Sequence, residues 1–246
     1  MIYQYFDGVS TSIPIGTGKM GAMGVIYLVR HGQAGVDENG YGSLTELGRR
    51  QARNVGRTLA ARAGKVNFTV SGNLARQLET IEEIVAQFPS GGAPEPIVNP
   101  GWNEYNLERL AQTHVPPTGI TPEATSAQRG FQRNLDGALI DWANSGDSSY
   151  TEYRVGVRDA IAQIAEYAGP GQVAIAASSA GTIGAVIADL WGISTDNWPG
   201  VSRTMVNGSI TKLLVGRSGI NVMSVNDHAH ADIDDADGER PMVTMR

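Results

Sequence analysis

The sequence contains no cysteine. That excludes disulfides, thiol nucleophiles and cysteine-ligated metals, and it agrees with a reducing compartment, so the cytoplasm is the expected location. Aromatic residues make up only 7% of the chain, and no stretch interleaves them with Lys and Arg. With a net charge of −6, neither nucleic acid nor an anionic membrane surface is a natural partner, and a small anionic substrate would need a local basic pocket. No apolar run approaches the length of a membrane span. The opening "MIYQYFDGVSTSIPIGTGKMGAMG" lacks the basic start and continuous apolar stretch of a secretory signal. There are only four histidines, at 31, 114, 228 and 230. No grouping of Asp, Glu and His shows metal-ligand spacing, so neither metal nor cofactor is expected.

What is present suits one domain, since 246 residues are ample for a single large core and short for two. Residues 1–23 read as a flexible leader. Its Gly16-Thr17-Gly18-Lys19-Met20-Gly21 imitates a dinucleotide loop but precedes a strand instead of opening a helix. "GVIYLV" (24–29) is a continuous apolar, β-branched run, the pattern of a strand buried on both faces. Ser43 and Glu46 fit a capping box, with Leu44, Leu47, Val55 and Leu59 at helical spacing behind them. "VNFTV" then leads to a helix whose Leu74, Leu78, Ile81, Ile84 or Val85, and Phe88 share a face. "PIVNP" is a brief third strand. About 103–149 is polar and irregular, an inserted helical cap whose regular part runs from Pro122, with Thr121 as its cap, to Trp142. A helix from about Thr151 to Ala168, the strand "QVAIAAS", a helix from Gly181 to Leu190 and a closing hairpin, "SITKLLV" with "INVMSV", complete residues 24–230. Residues 231–246 read as a solvated acidic tail. The pattern predicts an α/β fold, a three-layer sandwich with a mostly parallel central sheet between helices.

Arg30-His31-Gly32-Gln33 stands at the C-terminal end of the first strand, where open α/β sheets collect ligands. Arginine offers a planar, permanently charged fork to phosphate oxygens, and a neighbouring imidazole can attack phosphorus and hold the phosphoryl group. "SGNLARQLET" points Arg76 towards the same edge from the second strand. Two arginines converging on one spot predict an anion pocket.

In these residues the chain resembles the histidine phosphatase superfamily, the phosphoglycerate mutase-like proteins. The match lies in "YLVRHGQ", "LTELGRRQA", "SGNLARQLET", "WNEYN" and "AGTI", in order, between Gly24 and about His230. The resemblance implies phosphoryl transfer through a phosphohistidine on His31, with Arg30, Arg76 and Gln33 binding phosphate. It makes Glu104 the acid that protonates the leaving oxygen and then helps water attack. The implied protein is a metal-independent phosphomonoester hydrolase acting on a small phosphorylated substrate. The sequence departs from the family at Ser178-Ser179-Ala180, where Ser179 stands in place of a second catalytic histidine. Serine offers a hydroxyl donor without positive charge. The "NDHAH" segment suggests His228 as a compensating partner near Ser179, with His230 serving packing.

Two rival readings follow from the same residues. "AASSAG" on a strand-turn-helix approaches a nucleophile elbow, with Ser179 as nucleophile, Asp189 or Asp196 and then His228 or His230 completing a triad. Loss of the second histidine would also suit a weakly active or purely phosphate-binding protein.

Overall fold

The computed structural model describes residues 22–37, 40–106, 110, 127–232 and 242–245. In chain order the strands are β1 (Gly24–Arg30), β2 (Ala34–Asp37), β3 (Gly40–Leu44), β4 (Phe68–Ser71), β5 (Ile97–Val98), β6 (Val173–Ser178), β7 (Ile210–Gly216) and β8 (Gly219–Asp227). The helices are α1 (Glu46–Ala63), α2 (Ala75–Val85), α3 (Ala127–Asn144), α4 (Ser148–Tyr167), α5 (Ala180–Trp191) and α6 (Trp198–Ser202). Six strands form one sheet in the order β5-β4-β6-β1-β7-β8, and β2 and β3 pair separately. β1 is parallel to β6, and β4 is parallel to both β6 and β5. The hairpin β7–β8 runs antiparallel beside β1.

Side chains alternate along β1, and that alternation builds the three layers. Ile26 and Leu28 join the cluster containing Val157 and Ile164 of α4 and Ile183 and Ile187 of α5. Tyr27 and Val29 face Val55 and Leu59 of α1 and Ile81 and Ile84 of α2. The apolar run therefore reads as one strand buried on both sides, and the architecture is the expected α/β sandwich.

Helix starts differ from the expectation where several cap-competent residues compete. Thr45, not Ser43, caps α1, its Oγ1 accepting from the Gly48 amide at 3.1 Å. Ser43 is unavailable because β3 extends through Leu44, which pairs with Ala34. Asp147 caps α4, which starts three residues before Thr151, at Ser148. Within the cap region α3 begins at Ala127, while Thr121, Pro122 and His114 lie outside the described residues. So do residues 1–21 of the leader, with the Gly16–Gly21 pattern, and the acidic residues 233–241.

The end of the chain departs from the reading of a solvated tail. Met242 is buried. Its carbonyl accepts from Gln51 Nε2 at 2.6 Å, and the Thr244 carbonyl accepts from the Asn207 amide at 2.8 Å. Two buried side-chain or backbone donors on the body of the fold thus hold this segment in place. Among the described residues no helix is long and apolar enough to cross a membrane.

Candidate functional site

Parallel β1, β4 and β6 end on one edge of the sheet, which brings Arg30-His31, Ser71-Gly72 and Ser178-Ser179 together there. The register sets Arg30 beside Ser178, and the His31 amide donates to the Ser178 carbonyl at 2.8 Å. The loop after β1 is fixed from both sides. Gly32 donates to Thr80 Oγ1 at 3.1 Å, and Asn207 Nδ2 donates to the His31 carbonyl at 3.1 Å.

His31 is buried, and its Nδ1 lies 2.7 Å from the Gly32 carbonyl. A carbonyl only accepts, so Nδ1 carries the proton and Nε2 keeps its lone pair. Arg76 Nε donates to that Nε2 at 3.2 Å. Desolvation, with Arg30 and Arg76 adding to it, holds the imidazole well below its ordinary pKa. The ring is therefore neutral at physiological pH, with the unprotonated nitrogen on the side of the arginine.

Arg76 sits in the first turn of α2, directly after β4, and is buried. Arg30 is buried as well, and its Nη1 donates to the Met205 carbonyl. Both of its Nη atoms lie 3.2 Å from the Met245 carbonyl. The residues after the acidic segment thus reach the site itself.

Glu104 follows the 3₁₀ turn Pro100–Trp102. Its Oε2 accepts from the Gly181 amide in the first turn of α5 at 2.9 Å, and its Oε1 from the Tyr105 amide at 3.2 Å. Burial raises its pKa, and the two amides with Arg76 and Arg30 only partly offset this. A carboxyl so placed holds its proton above the usual carboxylate range, which suits an acid. Beside it opens a cavity of about 250 Å³, lined by Glu104, Tyr105, Leu110, Trp142, Asp147 and Tyr153 among others. The polar edges of two of these rings are engaged elsewhere, Trp142 Nε1 with Ser149 Oγ at 2.9 Å and Tyr153 Oη with Thr182 Oγ1 at 3.1 Å.

Ser179 joins this group but not in the expected company. Its Oγ accepts from Gln77 Nε2 at 2.9 Å. His228 does not partner it, because two strands, β1 and β7, stand between β6 and β8. His228 Nδ1 instead lies 2.6 Å from the Asn226 carbonyl. His230 is held at α1, where its carbonyl accepts from Asn54 Nδ2 at 2.6 Å and its Nε2 lies 3.0 Å from the Gly208 carbonyl. Gln33 turns its Oε1 to Thr45 Oγ1 at 2.8 Å, a contact that serves the start of α1.

The triad reading also loses its acids. Asp189 is bound by Arg154 and Arg158, and Asp196 accepts from Asn144 Nδ2 at 3.4 Å.

Two glutamines were missed by sequence reasoning, and one signal marks both. Gln77 precedes Ile81 and Ile84 by four and seven residues, and Gln51 precedes Val55 and Leu59 by four and eight, so each lies on a core-facing stripe. Both are fully or almost fully buried. A polar residue on an apolar stripe needs a polar partner. Gln77 finds Ser179 and the Trp102 carbonyl, and Gln51 finds the Gln33 amide and the Met242 carbonyl.

The sequence matches the model of the histidine phosphatase superfamily (branch 1) over residues 26–228. No curated protein sequence matches it. Among solved structures it is similar to a mycobacterial glucosyl-3-phosphoglycerate phosphatase, with 22% identity and a TM-score of 0.59, over 84% of this chain and 100% of that one. It is also similar to a putative alpha-ribazole-5'-P phosphatase from Escherichia coli, with 18% identity and a TM-score of 0.54, over 82% of this chain and 96% of that one. At these identities the likeness is one of fold.

Proposed function

The chain belongs to branch 1 of the histidine phosphatase superfamily, and from that premise we propose that it hydrolyses small phosphomonoesters through a phosphohistidine on His31. The observation that carries this reading is the fixed tautomer of His31, whose Nδ1–H is spent on the Gly32 carbonyl while Nε2 faces Arg76. Nε2 attacks phosphorus as the ester P–O bond breaks, and the protonated Glu104 gives its proton to the departing alkoxide. The Glu104 carboxylate then takes a proton from water, whose oxygen attacks phosphorus as the P–N bond breaks. Phosphate leaves, and His31 and Glu104 return to their starting states.

Arg30 and Arg76 supply the fixed positive charge for the phosphoryl oxygens, and the charge they supply requires no metal. Among the described residues no group of three or more His, Asp or Glu could hold one. The alcohol portion of the substrate occupies the cavity beside Glu104, against Tyr105, Trp142 and Tyr153. Action in the cytoplasm belongs to the same proposal.

A screen of phosphomonoesters with wild type and His31→Ala, with and without chelator, tests it. Turnover that survives chelator, vanishes in His31→Ala and leaves acid-labile phosphate on His31 is expected. Labelling of Ser179 by a fluorophosphonate, or turnover that requires added magnesium, would refute it.

A further inference from the structure

Consecutive residues in the first turn of α2 serve the two halves of the site. Arg76 donates to His31 Nε2, and Gln77 donates to Ser179 Oγ. The Gln77 amide can lie only one way round, because its Nε2 also donates to the Trp102 carbonyl at 3.0 Å, and a carbonyl oxygen would repel Oε1. Ser179 Oγ is therefore an acceptor towards Gln77, and its own hydrogen is directed elsewhere.

Nor does the Ser179 oxygen accept as a helix cap. Ser179 immediately precedes α5, where a serine oxygen would accept an amide of the first turn, yet it makes no capping bond. The Gly181 amide it could have taken is held by Glu104 Oε2 at 2.9 Å. Among the described residues no acceptor takes the Ser179 hydroxyl proton, although the residue is fully buried one step beyond the strand register that joins Ser178 to Arg30.

The fold also bears a cost to keep the amide there. Gln77 Oε1 is buried with no hydrogen-bond partner, which disfavours the folded state. Room for it is left by Gly72, where a Cβ would stand 2.0 Å from that oxygen.

We propose that Gln77 is a positioning residue that makes Ser179 a hydrogen-bond donor to the transferring phosphoryl group, in the place the resemblance gives to a second histidine. An amide N–H on the serine oxygen polarises the hydroxyl and strengthens it as a donor. The proposal rests on the phosphohistidine reading.

A double-mutant cycle on Gln77→Ala and Ser179→Ala tests it, with kcat and KM for p-nitrophenyl phosphate and affinity for orthovanadate as readouts. Each single substitution should lower kcat roughly 10- to 100-fold with KM changed by less than about threefold. The double variant should be no slower than either single one. Gln77→Met keeps the length and burial but has no N–H to give, so it should be as slow as Gln77→Ala. Ser179→Thr should recover at least about tenfold of the kcat lost in Ser179→Ala, because it retains the donor. An unchanged kcat in Gln77→Ala, or an equal loss on the Ser179→Ala background, would overturn the proposal. If Gln77→Ala does not fold, Gln77→Met and the Ser179→Thr comparison decide. Absence of His31-dependent turnover in wild type would instead defeat the phosphohistidine reading, and additive losses of orthovanadate affinity would still overturn the Gln77–Ser179 coupling.

Discussion

The Met245 carbonyl accepts from both terminal nitrogens of Arg30, each at 3.2 Å. On the proposed phosphate-binding role of Arg30, a phosphate oxygen and this carbonyl compete for the same donors, and the anion forms the stronger charge-assisted bond. Occupation of the pocket would then draw Arg30 away from Met245.

Removal of residues 242–246 should accordingly tighten inhibition by orthovanadate about three- to tenfold, since Arg30 no longer has to leave a carbonyl behind. The same truncation should lower the melting temperature. It removes buried Met242 and the partners of Gln51 Nε2 and of the Asn207 amide, at about 0.5–1.5 kcal/mol for each lost hydrogen bond. An inhibitor titration beside a thermal melt checks both. Weaker inhibition in the truncated protein would show that the segment orients Arg30 instead of competing for it.

On the phosphohistidine reading, the shifts of His31 and Glu104 widen the pH profile at both ends. His31 attacks only when unprotonated, and its pKa lies well below the ordinary histidine value, so the acid limb of kcat/KM rises early as pH increases. Glu104 gives a proton only when protonated, and its raised pKa keeps it so above the usual carboxylate range until the alkaline limb falls through it. An alkyl phosphate should show both limbs, once the ionisation of the ester near pH ~6 is factored out. p-Nitrophenyl phosphate, whose leaving group needs no proton, should lose the alkaline limb, as should Glu104→Gln. Identical alkaline limbs for the two substrates would remove Glu104 from the role of acid.

Residues whose role is set by their own segment were legible in the sequence. β1 announces itself by an unbroken apolar run, and Arg30-His31 is placed by following it. Arg76 likewise follows from a strand leading into a helix. The residues that were not legible depend on distant parts of the chain. Thr45 prevails over Ser43 because β3 pairs with β2 through Leu44 and Ala34. His228 lies away from Ser179 because the sheet order inserts β1 and β7 between β6 and β8, which no local pattern shows. Gln77 acquires its partner only when β4 and β6 lie side by side, and Met245 is some two hundred residues along the chain from Arg30.

Asp189, a candidate triad acid in the sequence, should matter to stability and not to turnover. It binds Arg154, which is 8% exposed, and Arg158, whose Nε lies 3.0 Å away. Arg154 also lies 5.9 Å from the Tyr150 ring and 5.7 Å from the Trp198 ring, so it cannot swing into water without breaking those contacts. Asp189→Ala leaves this guanidinium buried without its carboxylate, at a cost of about 2–3 kcal/mol once the partial exposure of Asp189 is discounted. Chemical denaturation should show that loss while kcat stays within about twofold of wild type. A collapse of kcat without loss of stability would return Asp189 to the catalytic centre.

Gly181 ties the acid to the helix that carries Ser179. Its amide holds Glu104 Oε2, and a Cβ on it would stand 2.3 Å from Glu104 Oε1 and 2.2 Å from Tyr105 Cε1. Both atoms belong to side chains, so Gly181→Ala displaces the carboxyl and the ring while leaving the backbone of α5 able to form, helped by about 1 kcal/mol of helix propensity. The displaced carboxyl no longer reaches the leaving oxygen, whereas His31, Arg30 and Arg76 remain in place. For an alkyl phosphate kcat/KM should therefore fall about 100-fold, the low end of what a positioned acid contributes. For p-nitrophenyl phosphate, which departs without a proton, kcat/KM should fall less than about fivefold, because the later attack of water does not enter it. Equal losses on the two substrates would mean that the alanine disturbs phosphate binding as a whole, and that Glu104 is not the group whose position Gly181 protects.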